Sequence, residues 1–600
     1  MLKILIIIQL FFLPISYIYS SSGYIGGDFH QHTTYTDGSY SFGYLMDRSN
    51  SFGLDWWANS EHGGAFNRWG LVSGLDVGST VNWGVTSLPL LGSRNASDST
   101  AMWRWQSLRD WAFRDMLLWR RVFPEKLIVQ GLELNVPGFE HASVSILPSQ
   151  FASVNPNVNA LAEFEYKFDN YDGDTSESNG WLKSTNVGRT KALEAAAWLQ
   201  NHYQDSSWMI VAHPERISAW KIQDIRDLNN VAPNVFFGFE SIPGHQKYSN
   251  RGGYSFLYGS YGSCTYGGAG WMCAKVGGFW DALLSEGRRY WLFANSDFHD
   301  ASTDFFPGEY LKNYTFVAEK HNPKALVDGL RSGNSYVVMG DLIDSLDVKI
   351  GGVSLGGVLE TTKDSVLLSI RVHDPLTANF NSYNDYRFPE LDHLDVIVGS
   401  ISDLISPLDT LEYTKDSVST THVLSRFGKD VNYVDSLGLV TRAWSDDGDG
   451  WRSMNLSISV PSGARMYLRL RGTNKKISES GETDGCGNPL MDVVGMNSPS
   501  LAFLDLWFYS NPIFLEHTMY TTLKKVVEPG FIVTKDEASG VLNMKFPMFS
   551  VGEVELLNTS GRRIMVKLHN GETSEAFFVK GLPRGVYFVR FKEECQKVVL

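Results

Sequence analysis

Six hundred residues exceed what one hydrophobic core organises, so the chain is expected to fold as two to four domains. Its hydrophobic share of 43% and charged share of 20% are those of ordinary globular protein, which argues against long disordered tracts. A formal net charge of −14 argues against binding nucleic acid or anionic membranes, because both are recognised through Lys and Arg.

Lys3, the apolar run from Ile4 to Pro14 and the small residues from Ser16 to Ser22 have the layout of a secretory signal peptide over residues 1–20. That run is too short to span a bilayer, and no later segment predicts a transmembrane anchor. From Gly26 to about Pro307, short apolar strands alternate with helical stretches. Leu127-Ile128-Val129 leads to Glu133, and Trp208-Met209-Ile210-Val211 leads to His213. Val235-Phe236-Phe237 leads to Glu240, and Trp291-Leu292-Phe293 leads to Asp297 and His299. Each run reads as a buried parallel strand ending in a metal-capable residue. Ligands at the carboxyl ends of successive strands are what a β/α barrel presents on its catalytic face.

Between these strands the spacing predicts a helix within residues 98–123, with Asp98 or Ser99 as its cap. It predicts others over Thr190–Tyr203 and over Phe279–Glu286, the last ended by Gly287. The Trp- and Gly-rich stretch from Ala65 to Gly92 reads as an insertion beside the active site, a candidate lid. Asn322-Pro323 opens one more helix, with Pro at its first position. From Leu346 the pattern turns to β, with runs such as 366–370 and 465–469, and a β-sandwich is expected up to about Glu516. A connector follows, then a small β unit with strands near 554–557 and 586–591. Cys264 and Cys273 either close a small loop in an oxidising compartment or remain thiols; four cysteines make no disulfide framework.

The strongest local signal is Asp28-Phe29-His30-Gln31-His32, followed by Asp37-Gly38. In an extended strand, His30 and His32 point to the same side, and paired imidazoles suit zinc, manganese or iron. Glu61-His62, Glu133, His141, His213 and Asp297-Phe298-His299 follow in order.

This ordered set resembles the polymerase and histidinol phosphatase (PHP) superfamily of metal-dependent phosphoesterases. Asp28 to Gly38 matches its first motif, with Thr36 in place of Ser, and Ser60-Glu61-His62 stands where the family usually has Thr-Asp-His. Gly131-Leu132-Glu133, His141, Ala212-His213-Pro214 and Ser296-Asp297-Phe298-His299 match the rest. The resemblance covers about residues 24–340 and implies an α/β fold, a distorted (β/α)7 barrel. Its cleft would hold two or three divalent ions on His30, His32, Asp37, His62, Glu133, His141, His213, Asp297 and His299. The implied chemistry is hydrolysis by a hydroxide shared between the metals, with Glu133 and Asp297 as bridging carboxylates. Asp297 or a nearby His would move protons, and Arg216 and His245 would contact substrate.

A narrower similarity, over Leu330–Tyr336 and Phe508–Phe514, is to the carbaryl-hydrolase-type branch, whose members carry a β-sandwich behind the barrel. It widens the expected small-molecule substrates from phosphate esters to carbamates and carboxylic esters. A non-catalytic secreted binding protein with structural metals is the other alternative. The tail, with Val554–Leu557, Ser560-Gly561-Arg562, Gly585–Val589 and Lys597-Val598-Val599, resembles the C-terminal sorting domain of the type IX secretion system. The expected order is therefore a signal peptide (1–20), a PHP-like barrel (24–340), a β-sandwich (341–516), a linker (517–540) and a sorting domain (541–600). That order implies a partner in the type IX machinery and a secreted or cell-surface protein.

Overall fold

The computed structural model describes residues 22–600 apart from 67–69, 72–79, 82–101, 149, 152–158, 178, 217–219, 249, 254–263, 381–388, 493–498, 519–530, 537–538, 547–550, 571–573 and 593. The signal peptide, the Asp98 or Ser99 cap and most of the expected lid and linker lie outside the described residues. The chain divides into two compact units, Met1–Thr518 and Met519–Leu600.

Nine strands position the site: β1 (Gly23–Asp28), β2 (Trp56–Asn59), β3 (Leu127–Asn135), β4 (His141–Ile146), β5 (Ser207–Val211), β6 (Gly238–Ile242), β7 (Trp291–Ala294), β8 (Leu311–Val317) and β9 (Ser335–Met339). They form one mixed sheet in the order β7-β6-β5-β4-β3-β2-β1-β8-β9, which continues into strands of residues 393–517. β1, β2 and β3 pair in parallel, as do β5, β6 and β7. β4 corrects the all-parallel expectation: it runs antiparallel to both neighbours, with Glu133 opposite Ser143 and Val144 opposite Met209. Strands β2 to β7 are buried along their length apart from His141, which explains their continuous apolar runs.

The run Val235-Phe236-Phe237 is not itself a strand; β6 begins at Gly238. All three side chains are buried, and Val235 and Phe237 still lend carbonyls to Met209 N (2.8 Å) and Trp291 N (2.8 Å). Pairing starts where the side chain vanishes, because a Cβ on Gly238 would lie 2.5 Å from the Phe293 ring and 2.8 Å from Trp291 O. Between β7 and β1 the contact is made chiefly by side chains. Asn295 Oδ1 accepts Phe29 N (2.9 Å), and Asn313 bonds Ala294 and Gly27. Gln31 and Phe298 form an isolated parallel bridge.

The helix foreseen before residue 123 runs through Arg104–Ser107, a π-helical turn at Leu108–Ala112, and Phe113–Val122, burying Trp105, Ala112, Met116 and Trp119. Helices also form at Gly188–Tyr203, Phe279–Leu284 and Pro323–Ser332. Asn322 caps the last through its side chain, and Gly333 ends it in the left-handed conformation. A second sheet pairs Ser345–Ile350, Ser365–His373, Trp451–Ser459 and Ser445–Gly448. One continuous core reaches from Ile25 to Leu515, and buried ion pairs such as Arg469–Asp281 (2.8 Å) bind the later strands to the earlier half.

The C-terminal unit has its own core of Leu542, Met544, Val554, Leu556 and Val589 between two small sheets, which include Val551–Asn558 and Val586–Phe591. Among the described residues, no helix is long and apolar enough to cross a membrane. All four cysteines are free thiols.

Candidate metal centre

β1 delivers the first motif. Asp28, fully buried, accepts His30 N through Oδ1 (3.0 Å) and Ser296 N through Oδ2 (2.8 Å), so one carboxylate ties the first motif to the last. Burial pushes Asp28 up to about 7. His30 and His32 present their rings to the same side, with centroids 5.4 Å apart.

Two buried carboxylates organise what they meet. Glu133 Oε1 lies 3.3 Å from His30 Nε2, 2.7 Å from His141 Nδ1 and 3.0 Å from His213 Nε2. Its Oε2 lies 3.2 Å from His32 Nε2 and 3.0 Å from His62 Nδ1. Asp297 Oδ1 faces His30 Nε2 (3.1 Å), His32 Nε2 (3.2 Å) and His299 Nδ1 (3.7 Å). Asp37, partly exposed, lies 3.4 Å from His32 Nδ1, 3.2 Å from His62 Nε2 and 3.3 Å from His299 Nε2. All nine residues singled out in the sequence thus converge.

Besides Asp28, four carboxylates beyond those nine belong to the same construction. Glu240, in β6, accepts from His30 Nδ1 (2.8 Å) and from Ser143 Oγ (2.9 Å). Asp304 Oδ1 holds His245 Nδ1 (2.6 Å), which leaves His245 Nε2 3.0 Å from Asp297 Oδ2. Glu140 stands 3.6 Å from His213 Nδ1 and groups with His141 and His213 as a further trio of metal-capable side chains. Its only sequence signal is adjacency to His141. Glu61 and Thr36, two of the departures from the motifs noted in the sequence, meet each other: Thr36 Oγ1 donates to Glu61 Oε2 (2.5 Å), and Thr33 also donates to that carboxylate.

Three of these residues have left-handed backbones: His213 (φ 30°), His245 (φ 57°) and Asp297 (φ 44°). Such strain in non-glycine residues persists only where the surroundings over-determine it. Gly244 is part of those surroundings, since a Cβ there would lie 2.2 Å from Ser296 O and 2.4 Å from Asp297 Cβ.

Burial opposes every charge in the cluster, yet mutual attraction dominates at most positions. Asp297 and Glu133 are held well below the usual carboxylate range despite burial, by His30 and His245 for the first and by His141, His62 and His30 for the second. His30 and His62 are raised well above the ordinary value by their carboxylates, and His32 is raised to about 9. His141 goes the other way, lowered by its burial. The pocket is therefore strongly cation-attracting.

Polar atoms are left unsatisfied in it. His30 Nε2, both ring nitrogens of His32, Asp37 Oδ1, Glu133 Oε2, His141 Nδ1 and His213 Nδ1 are buried without a hydrogen bond of acceptable geometry. Buried polar atoms are normally satisfied, so this concentration has the character of a coordination shell. The residues fall into overlapping sets whose ligand atoms lie within 4.8 Å of one another, including His30–His32–Glu133–Asp297, His32–Asp37–His62–His299 and His62–Glu133–His141. Mixed imidazole and carboxylate donors of this kind suit divalent zinc, manganese or iron.

A cavity of about 450 Å³ lies against this cluster, lined by Arg216, His245, Tyr248, Asn250, His299 and Thr303 among others. Arg216 Nη1 is 3.4 Å from His213 Nε2, and its Nε is 3.5 Å from Glu140 Oε1. Both residues expected to meet substrate, Arg216 and His245, are on this wall.

Site and tail define the class: an exported protein with a cluster able to hold divalent metal ions. Residues 538–600 match the secretion system C-terminal sorting domain family. The tail thus implies handling by the secretion machinery and export to the cell surface or beyond. No curated protein matches the chain. Among solved structures, it is similar to a two-domain protein from Bacteroides vulgatus containing a predicted PHP-like metal-dependent phosphoesterase, at 13% identity over 73% of this chain and 96% of that one, with a TM-score of 0.30. A segment of native alpha-2-macroglobulin from Escherichia coli matches at 9% identity over 39% of this chain and 88% of that one, with a TM-score of 0.10.

Proposed function

We propose that this chain is an exported metal-dependent hydrolase that cleaves ester bonds, with phosphate esters as its foremost substrates. The observation that carries the reading is Glu133: its two oxygens lie 2.7 to 3.3 Å from nitrogens of five histidines. Asp297 faces four histidines in the same way. A carboxylate shared among so many imidazoles suits bridging between cations rather than service to a single one.

His30, His32, Glu133 and Asp297 would hold one ion, and Asp37, His62 and His299 with His32 a second. His141 and His213 with Glu133 would complete a third position. Divalent ions there would supply Lewis acidity toward the ester and lower the pKa of water. The chain's own groups do the remainder. Arg216 offers a fixed planar cation beside the cluster, matched to phosphate oxygens. Asp304 fixes the His245 ring so that its Nε2 can hold or pass a proton next to Asp297. A purely structural metal cluster would leave the adjoining cavity without a role.

The seven strands from β7 to β1, with Asn295, Asn313 and Asp28 spanning the gap between the first and last, support a distorted (β/α)7 barrel over residues 24–340. The later strands of that sheet and the second sheet support a β-sandwich over 341–516, ahead of a linker and the sorting domain. The test is elemental analysis of protein purified without chelator, followed by a panel of phosphomonoesters, phosphodiesters, carbamates and carboxylic esters. Two to three divalent ions per chain and turnover highest on a phosphate ester are expected. Metal-free protein, or protein that hydrolyses no ester with its ions bound, would overturn the reading.

A further inference from the structure

Arg251 connects the cavity wall to the late β segment. It directly follows Asn250 and precedes Gly252 and Gly253, all of which line the cavity, yet its own side chain points away from that space and is fully buried. Its Nη1 donates to Asp505 Oδ2 (2.6 Å) and reaches Asp492 Oδ1 (3.4 Å). Its Nη2 donates to Tyr310 OH (2.8 Å) and to the Asp505 carbonyl (3.0 Å), and its Nε donates to Gln246 Oε1 (3.3 Å). Asp505 is also fastened, accepting Trp507 Nε1 (2.8 Å), while Asp492 Oδ2 accepts Gly268 N (2.9 Å). The two aspartates lie 241 and 254 residues downstream, outside the segment that carries the metal-capable residues.

The backbone around this side chain has little freedom. Arg251 adopts φ 49° and Gly252 φ 82°. A Cβ on Gly252 would lie 2.1 Å from Gly244 O, so the segment folds back onto the turn that carries His245. Conformations of this sort need external support. A guanidinium meeting several acceptors in fixed directions provides it, and lysine, with one nitrogen, does not. His245 has its own anchor in Asp304. The His245 ring and the 250–253 stretch of the cavity wall are therefore anchored by different side chains.

We propose that Arg251 with Asp505 and Asp492 is a positioning device for substrate fit: the late β segment of the first unit fixes the 250–253 wall of the cavity and so sets which esters it accepts. This assignment rests on the hydrolase reading for its kinetic consequence, though not for its structural one. Arg251→Lys and Asp505→Asn separate the two. With the best phosphate ester found in the panel, both variants should raise KM by roughly tenfold while kcat stays within about threefold. Metal content should match wild type, and amide hydrogen exchange should quicken in residues 244–253 but not around Glu133. Arg251→Lys, which keeps the charge, should also change the ranking of esters that differ in leaving-group size.

A variant with wild-type KM and wild-type exchange in 244–253 would overturn the proposal. So would a fall in kcat with lost metal and unchanged KM, since that would place Arg251 in support of the cluster instead. If wild-type protein hydrolyses no ester, the hydrolase reading fails, while the exchange measurement still decides whether the clamp holds the wall.

Discussion

Glu240→Gln tests the centre at a residue that would not itself touch a metal. The Glu240 carboxylate is 3% exposed and accepts His30 Nδ1 at 2.8 Å, which commits that nitrogen to its proton and leaves His30 Nε2 facing Glu133 and Asp297. Glutamine keeps the size and one accepting oxygen but removes the charge. A hydrogen bond to a charged group contributes about 1.5–3 kcal/mol against about 0.5–1.5 for a neutral one, so roughly 1–2 kcal/mol of support for His30 should go. Burial leaves no solvent to screen that difference. The matching loss in metal retention is about 5- to 30-fold, which overlaps the roughly 10- to 100-fold range for outer partners of ligating histidines. Competition against a graded chelator, read by elemental analysis, measures it, with a thermal melt to check that the fold persists. Ser143→Ala removes the other partner of Glu240 while keeping its charge, and should cost less than about tenfold. If Glu240→Gln retains its ions as firmly as wild type, the orientation of His30 does not depend on this carboxylate and the layered construction of the site is wrong.

Other substitutions probe other layers. Asp297→Asn keeps the volume but loses the charge that faces four histidines, and should cost about 10²-fold or more in turnover while the protein stays folded; steady-state kinetics and a melt together decide it. Gly244→Ala places a methyl 2.2 Å from Ser296 O, within backbone reach of Asp297, and should displace that residue enough to lower metal content and activity together. Burial raises Asp374, which accepts Leu391 N, from 3.8 to about 6. The folded chain therefore holds this proton more tightly than the unfolded chain, so the stabilising contribution is full below 3.8 and falls as pH rises toward 6. Asp374→Asn should gain stability relative to wild type across that window, and denaturant midpoints at pH 4 and 7 that move in parallel would refute it.

The convergence of the nine metal-capable residues was legible in the sequence because metal coordination admits few residue types, and most of them stand at the ends of buried strands. The partners of the outer carboxylates were not: the strand-end pattern marks Glu240, but nothing in local spacing says that it meets His30, and Asp304 carries no such mark. Glu240 is 210 residues from His30, and Asp505 is 254 from Arg251. Pairing direction was equally hidden: an apolar run buried on both faces looks the same in a parallel strand and in the antiparallel β4. The run at 235–237 shows the limit of periodicity, because its side chains fill the core as a strand's would while regular pairing waits for Gly238. Strain leaves still less trace. His213 and Asp297 occupy conformations in which glycine would be at ease, and each carries a side chain that the cluster requires. Backbone comfort has yielded there to chemistry, and the stabilisation that offsets it comes from the buried strands just before them and from the hydrogen bonds that join Asp28 to both ends of the site.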